Sequence, residues 1–332
     1  MNSKLKLLKI LEILMETDEQ HPLTALQINE KLKLYGIEAE RKSICRDINI
    51  LRDDADYDIL LSADNKQGYY MASRDFEDWE VKILIDAVLG AKFLTTSDTK
   101  KLANKLISLQ SKNSRKMMLH GSLALYDKSD NVTTKIHIDE ILKAIKAERK
   151  ISFQYTYTTV SLKKELRRDG HCYVVNPYRL VWKNDHYYLI GNYDKYDNLS
   201  SYRLDRMKNL SISEEACKPA EEILGKNADI RIDEHIKTSI YNYGGEKIKL
   251  TLEVEDYMVD DLVDYFGSDL IFVPHNEKYR VTVNVMDSEG LYYWLLQYEK
   301  NVKVIVPIGV RAKLIDKVKG ILDLYREDII ND

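Results

Sequence analysis

Apolar residues along the first fifty positions recur at three- and four-residue intervals, the signature of helices with one buried face. Leu7, Ile10, Leu11 and Leu14 form the first such stripe. A polar break follows at residues 18–22, and Thr24-Ala-Leu-Gln27 then has capping-box spacing, in which Thr accepts from the amide three residues on and Gln reaches back. Ala25, Ile28 and Leu32 form the stripe of a second helix, which stops at Tyr35-Gly36, where glycine tolerates the left-handed backbone. A third helix is predicted from about Glu40, burying Ile44, Ile48 and Leu51 and presenting Lys42, Cys45, Arg46 and Asn49, with Arg41 in its first turn. Two short strand-like runs, residues 59–61 and 69–71, flank a polar turn with Gly68 and read as a hairpin. Three short helices and a hairpin make a winged helix-turn-helix over residues 1–73, with the third helix shaped for a major groove.

Helical periodicity resumes from Phe76 to about Met118 through Val81, Leu84, Ile85, Val88, Leu89, Leu102, Leu106 and Leu109. Residues 74–133 are therefore expected to form a helical connector able to pack against a second copy. The pattern then changes. A short helix with Ile138, Ile141, Leu142 and Ile145 precedes a strict period-two strand at residues 151–157, and further strand-like runs fall at residues 173–182, 186–193 and 202–212. Closely spaced antiparallel strands behind one helix imply a small barrel or sandwich over residues 134–218. From Lys247 a strand, a helix (Val259, Leu262, Val263, Phe266), a strand, a helix, a strand and a closing helix follow in about 80 residues, a compact α+β sandwich over 245–330. The fold class is thus multidomain α+β.

Composition narrows the function classes. With 44% hydrophobic and 31% charged residues, the 332-residue chain reads as a soluble folded protein of several domains. Its N-terminus has neither a signal-peptide run nor a membrane span, and three scattered cysteines suit a reducing cytoplasm better than a disulfide framework or a zinc site. No nucleophile elbow, P-loop, HExxH or dinucleotide fingerprint occurs, so neither an enzyme nor a cofactor is expected. The net charge of −4 does not advertise a nucleic-acid binder, and residues 1–73 hold 10 Lys and Arg against 13 Asp and Glu. Attraction to phosphate must come from where the basic residues sit. Tyrosine outnumbers phenylalanine 23 to 5, which suits half-wet strand faces and pockets.

The strings Pro177-Tyr-Arg-Leu-Val181, Tyr187-Tyr-Leu-Ile-Gly191 and Tyr202-Arg-Leu-Asp-Arg-Met207 give the chain a resemblance to the WYL-domain transcriptional regulators of bacteria. Gly290-Leu-Tyr-Tyr-Trp-Leu-Leu-Gln-Tyr298 followed by Val302-Lys-Val-Ile-Val-Pro307 resembles the family's C-terminal extension. The resemblance implies a winged helix-turn-helix, an Sm/SH3-like β-barrel (the WYL domain) and the extension domain, with a barrel that senses a nucleotide or nucleic acid. Two departures stand out: the name-giving Trp is Tyr187, and the Arg often found before the third string falls at Ser200. The position often held by a capping Ser ahead of the recognition helix is near Ala39.

Two candidate sites follow. For double-stranded operator DNA, Arg41, Lys42, Ser43 and Arg46 lie at the start of the third helix, where dipole and free amides favour phosphate. Arg46 is the candidate for a bidentate guanine contact, Thr24 and Lys66 are candidate phosphate contacts, and Asp47 is expected in a structural ion pair. For the effector, Tyr155, Tyr178, Tyr188, Arg203 and Arg206 combine aromatic faces with guanidinium forks. Strand alternation places Arg203 and Arg206 on opposite faces, so both reach one pocket only across a bulge or strand end; one is free to pair with Asp205. The expected protein is a cytoplasmic, homodimeric, ligand-responsive transcriptional regulator without membrane association. The alternative is an accessory RNA- or single-stranded-DNA-binding protein that modulates a partner enzyme in phage defence.

Overall fold

A computed structural model of the chain describes residues 3–63, 68–119, 128–129 and 131–331. It divides into two compact units, Met1–Val132 and Thr133–Asp332.

The first unit begins with helices α1 (Ser3–Met15), α2 (Ala25–Lys33) and α3 (Arg41–Asp53), then strands β1 (Ile59–Leu61) and β2 (Tyr69–Met71), paired antiparallel. Ile10, Leu14, Ile28, Leu32, Ile44 and Ile48 are fully buried in one core, as the three stripes require. The capping box at Thr24 and Gln27 is formed, and Gly36 takes φ +69° where α2 ends. Lys6, on the buried side of α1, reaches the Ser43 hydroxyl and lies 2.9 Å from Asp47. An ion pair shut away this far gains little net stability, because desolvation offsets attraction. It does fix α3 against α1, since shifting either helix would strand a charge.

Helices α4 (Asp78–Gly90), α5 (Thr96–Ile107) and α6 (Lys112–Leu119) continue the unit around Val81, Ile85, Leu89, Ile107 and Met118. Leu84, Leu102 and Leu109, expected on the apolar stripe, are exposed. These helices are tied back to the first three. Arg74 donates to the carbonyls of Met15 and Thr17, the Ser111 hydroxyl to Asp18 at 2.7 Å, and the Lys112 amide to the Glu16 carbonyl at 3.1 Å. Contacts therefore cross position 73 freely.

The second unit opens with α7 (Thr133–Lys146), which buries His137, Ile141 and Ala144 and leaves Leu142 exposed. Six strands follow: β3 (Arg149–Thr158), β4 (Lys164–Leu166), β5 (Cys172–Lys183), β6 (His186–Tyr193), β7 (Leu199–Arg203) and β8 (Met207–Ala216). The order is β8-β3-β5-β6-β7, with β4 also on β3. Asn184 and Asp185 both take positive φ and close the β5–β6 hairpin, the backbone a two-residue loop needs to match strand twist. The two ends of this order, β7 and β8, are consecutive in the chain with one 3-10 turn, Leu204–Arg206, between them. Four residue steps span at most about 14 Å, whereas five flat strands would hold their outer members about 19 Å apart. The sheet must curl toward closure, and α7 packs on it with His137 bonded to the Leu204 carbonyl at 3.0 Å.

Helices α8 (Ala220–Leu224) and α9 (Ala228–Thr238) occupy a stretch whose sequence predicted no element. The remainder runs β9 (Glu246–Val254), α10 (Val259–Phe266), β10 (Phe272–His275), β11 (Lys278–Asp287), α11 (Glu289–Gln297), β12 (Val302–Val306) and α12 (Ile308–Asn331). Its sheet is antiparallel in the order β10-β11-β9-β12, with Leu250, Leu252, Val254, Val285, Leu291 and Trp294 fully buried or nearly so. The β-α-β-β-α-β core adds one strand, β10, to the expected series.

Candidate functional site

The outer face of α3 carries the first site. Arg41, Lys42 and Arg46 are exposed, and none has a carboxylate partner among the described residues, whereas Arg52 on the same helix is held by Asp53 at 2.7 Å. Glu40 precedes α3 without a side-chain cap, so the first-turn amides are left to solvent or a ligand. Two predicted contacts are otherwise engaged. The Ser43 hydroxyl binds Lys6, and the Thr24 hydroxyl both accepts from the Gln27 amide and donates to the Gln27 side chain at 3.1 Å. Asp47 forms the expected ion pair, with Lys6. Lys66 lies outside the described residues.

The second site is a cleft of about 1120 Å3 in the second unit. Strands supply one wall: Tyr155 from β3, Tyr173 from β5, and Ser200, Ser201 and Tyr202 from β7. Phe153, Tyr155, Tyr173 and Tyr202 pack ring to ring with centroids 5.2 to 6.3 Å apart. Burial pushes the Tyr202 hydroxyl up to about 12 and raises Tyr155 as well, so both stay neutral. The Tyr155 hydroxyl accepts from the Arg203 amide at 3.0 Å, and the Arg167 guanidinium lies 6.0 Å from the Tyr155 ring centre.

The facing wall comes from α9, with Ile230, Arg231, Glu234, His235 and Thr238, and from the start of β9. Gly245 lets the backbone pass there, since a Cβ would sit 2.2 Å from the Asp287 carbonyl oxygen. Helix α9 is fastened to β5. Lys183 donates to the carbonyls of Ile236 at 2.7 Å and Ser239 at 3.0 Å, and Arg179 pairs with Asp229 and Asp233. Burial lowers the Lys183 ammonium; burial and then that ammonium lower the His235 imidazole to about 4.

A neighbouring groove shares Tyr155, Arg167, Ser201 and Asn242 with the cleft and adds His186, Tyr188, Arg203 and Arg206. Here the structure corrects the expectation of one strand over residues 202–212. The 3-10 turn at Leu204–Arg206 resets the alternation, and both arginines line the same groove. Arg203 is held by Asp205 through two bonds of 2.8 and 3.1 Å. Burial opposes the charge on that carboxylate, but the guanidinium outweighs it and holds Asp205 below its ordinary range. Arg206 has no carboxylate partner among the described residues.

Tyr178 does not join the others: it lies at the β5 bulge and its hydroxyl donates to the Lys218 carbonyl at 3.0 Å. Sequence reasoning missed Arg167, Lys226, Arg231 and Lys247, which give the cleft positive groups where Ser200 lacks one. The spacing of Ala228, Ile232 and His235 was the available signal for α9.

Among the described residues no helix is long and apolar enough to cross a membrane, and no three His, Cys, Asp or Glu are grouped to hold a metal. Residues 137–212 match the WYL domain family and residues 246–322 the WCX domain family. The chain is 23% identical over 179 residues to the uncharacterized HTH-type transcriptional regulator YobV of Bacillus subtilis, covering 54% of this chain and 53% of that one. It thus spans about half the length of that curated relative. Among solved structures it is similar to proteasome accessory factor B/C (PafBC) of Arthrobacter aurescens, with TM-score 0.31, 16% identity, and 96% of this chain against 48% of that one. A CRISPR Cas-related protein matches with TM-score 0.40, 15% identity, and 92% of this chain against 79% of that one. The tyrosine wall of the cleft falls within the first of the two matched domains, and the chain carries a WYL domain followed by a WCX domain.

Proposed function

We propose that the chain is a DNA-binding transcriptional regulator of the WYL family whose first unit reads duplex DNA as a winged helix-turn-helix. One observation carries the reading: Arg41, Lys42 and Arg46 stand exposed on α3 without carboxylate partners among the described residues, in a domain whose acidic residues outnumber its basic ones. Leaving these three unneutralised suits a face that meets phosphate and base edges. Because the domain's total charge repels DNA, each reader binds weakly alone, and a homodimer presenting two α3 helices to two half-sites supplies the affinity.

The cleft of the second unit and its neighbouring groove are the sensing site in this reading. Tyr155, Tyr173 and Tyr202 offer ring faces, while Arg167, Arg231 and Arg206 offer guanidinium groups, a set suited to a nucleotide or a short single strand. An effector that binds two dimer geometries unequally shifts the spacing of the recognition helices. Fluorescence anisotropy with the duplex upstream of the protein's own gene tests the reader. Arg46→Ala is expected to cost 1–3 kcal/mol, roughly 5- to 150-fold, and to relax preference at one base pair. Binding by a monomer, unchanged in Arg46→Ala, refutes the proposal. Binding of single strands lost in Arg206→Ala, with no duplex binding, favours instead an accessory protein acting on single-stranded nucleic acid.

A further inference from the structure

The first unit holds a second, smaller concavity away from α3. It is a groove of about 180 Å3 between α2 and α6, lined by Lys31, Lys112 and Lys116 together with His21, Leu23 and Glu16. Three lysines lining one groove give it a local positive charge that attracts an anion. The nearby acids do not supply it. Glu16 is paired with Arg115 at 2.9 Å, and Asp18 is bonded to His21 and Ser111, both at 2.7 Å. None of the three lysines has a carboxylate partner among the described residues.

Position ties this groove to the reader. Lys31 follows Thr24 by seven residues, nearly two helical turns, so it lies above Thr24 on the same face of α2. Lys112 and Lys116 are four apart and share a face of α6. Helix α6 is held there by the Ser111–Asp18 bond, the Lys112 amide on the Glu16 carbonyl and the Arg115–Glu16 pair.

We propose that this groove receives a backbone phosphate of the duplex that α3 reads, so that α6 extends the DNA-contact surface. The inference rests on the reader function proposed above. It explains how an acidic domain gathers enough positive charge: part of it comes from a helix more than forty residues past the hairpin.

The test is duplex affinity of the full chain across a salt series, comparing wild type with Lys112→Ala/Lys116→Ala. Both positions are exposed and alanine favours helix, so the variant folds. Lys101→Ala/Lys105→Ala, the same two-charge loss on the exposed face of α5, is the matched control. The α6 variant is expected to lose about tenfold in affinity for all sequences alike and to flatten the salt slope by about 1, with the control unchanged. An unaltered slope in the α6 variant, alongside weakened binding by Arg46→Ala, overturns this inference and leaves the reader intact. Equal losses in the α6 variant and the control reduce the effect to net charge and also overturn it. Saturable binding of inorganic phosphate, abolished in the α6 variant while its duplex binding stays normal, assigns the groove to a free anion instead. A wild type that binds no duplex removes the reader function itself.

Discussion

His235 lies on α9 with its ring buried in the cleft wall, where burial and the Lys183 ammonium lower it to about 4 from an ordinary 6.5. The folded state therefore binds fewer protons than the unfolded one between those values. The resulting stability is complete above about pH 6.5 and is lost as pH falls toward 4, at most about 3 kcal/mol. His137, lowered by burial, acts in the same direction. Denaturant midpoints of the wild type should fall between pH 7 and pH 4.5, and His235→Gln should show a shallower fall; equal slopes would falsify the assignment. Glycines give a second residue-scale contrast. A Cβ at Gly191 would lie 2.6 Å from the Asn176 carbonyl oxygen, which belongs to the paired strand and cannot step aside, so Gly191→Ala should cost about 1–3 kcal/mol. Nothing lies within 4 Å of a Cβ at Gly320, inside α12, and Gly320→Ala should stabilise by up to about 1 kcal/mol. Thermal melts read both changes.

At the scale of elements, the 3-10 turn between β7 and β8 has the largest consequence. Three residues convert an alternating string into two strands, close the curl of the sheet, and bring Arg203 and Arg206 to one groove. Asp205 then decides how much of that charge is available, since it holds Arg203 through two bonds. Asp205→Asn should tighten binding of a short oligothymidylate at low salt by removing a competing anion, whereas Arg206→Ala should weaken it. Anisotropy titrations decide; weaker binding in both variants would mean that the Arg203–Asp205 pair positions the groove and does not restrain it. Long periodic elements were legible beforehand: α1 to α3, the β5–β6 hairpin and β9 to α10. The short ones, β4, β10 and α8, span three to five residues, too few to establish a period. Helix α9 escaped because its buried stripe includes His235 and Thr238, polar residues that hide a hydrophobic repeat.

For the whole molecule, the two units make a stability experiment direct. A chain of residues 133–332 has its own two cores and is expected to unfold cooperatively at the midpoint of the matching transition in the full protein. Loss of that transition in the shorter chain would mean that the second unit depends on the first. The division of information between sequence and structure follows the range of the interactions. Helix stripes, capping boxes and turn residues act over a few positions, so the sequence by itself determined the three helices and hairpin, the strand-rich middle, the α+β end and the exposed basic face of α3. Closure of a sheet, the fastening of α6 to the segment between α1 and α2, and the meeting of Tyr155 with Arg231 across a cleft involve residues tens of positions apart. No local periodicity encodes such meetings, because they depend on which buried surfaces fit one another once the chain has folded. Only the tertiary structure decided that Tyr178 is occupied elsewhere, that both arginines share a groove, and that three lysines line one groove between α2 and α6.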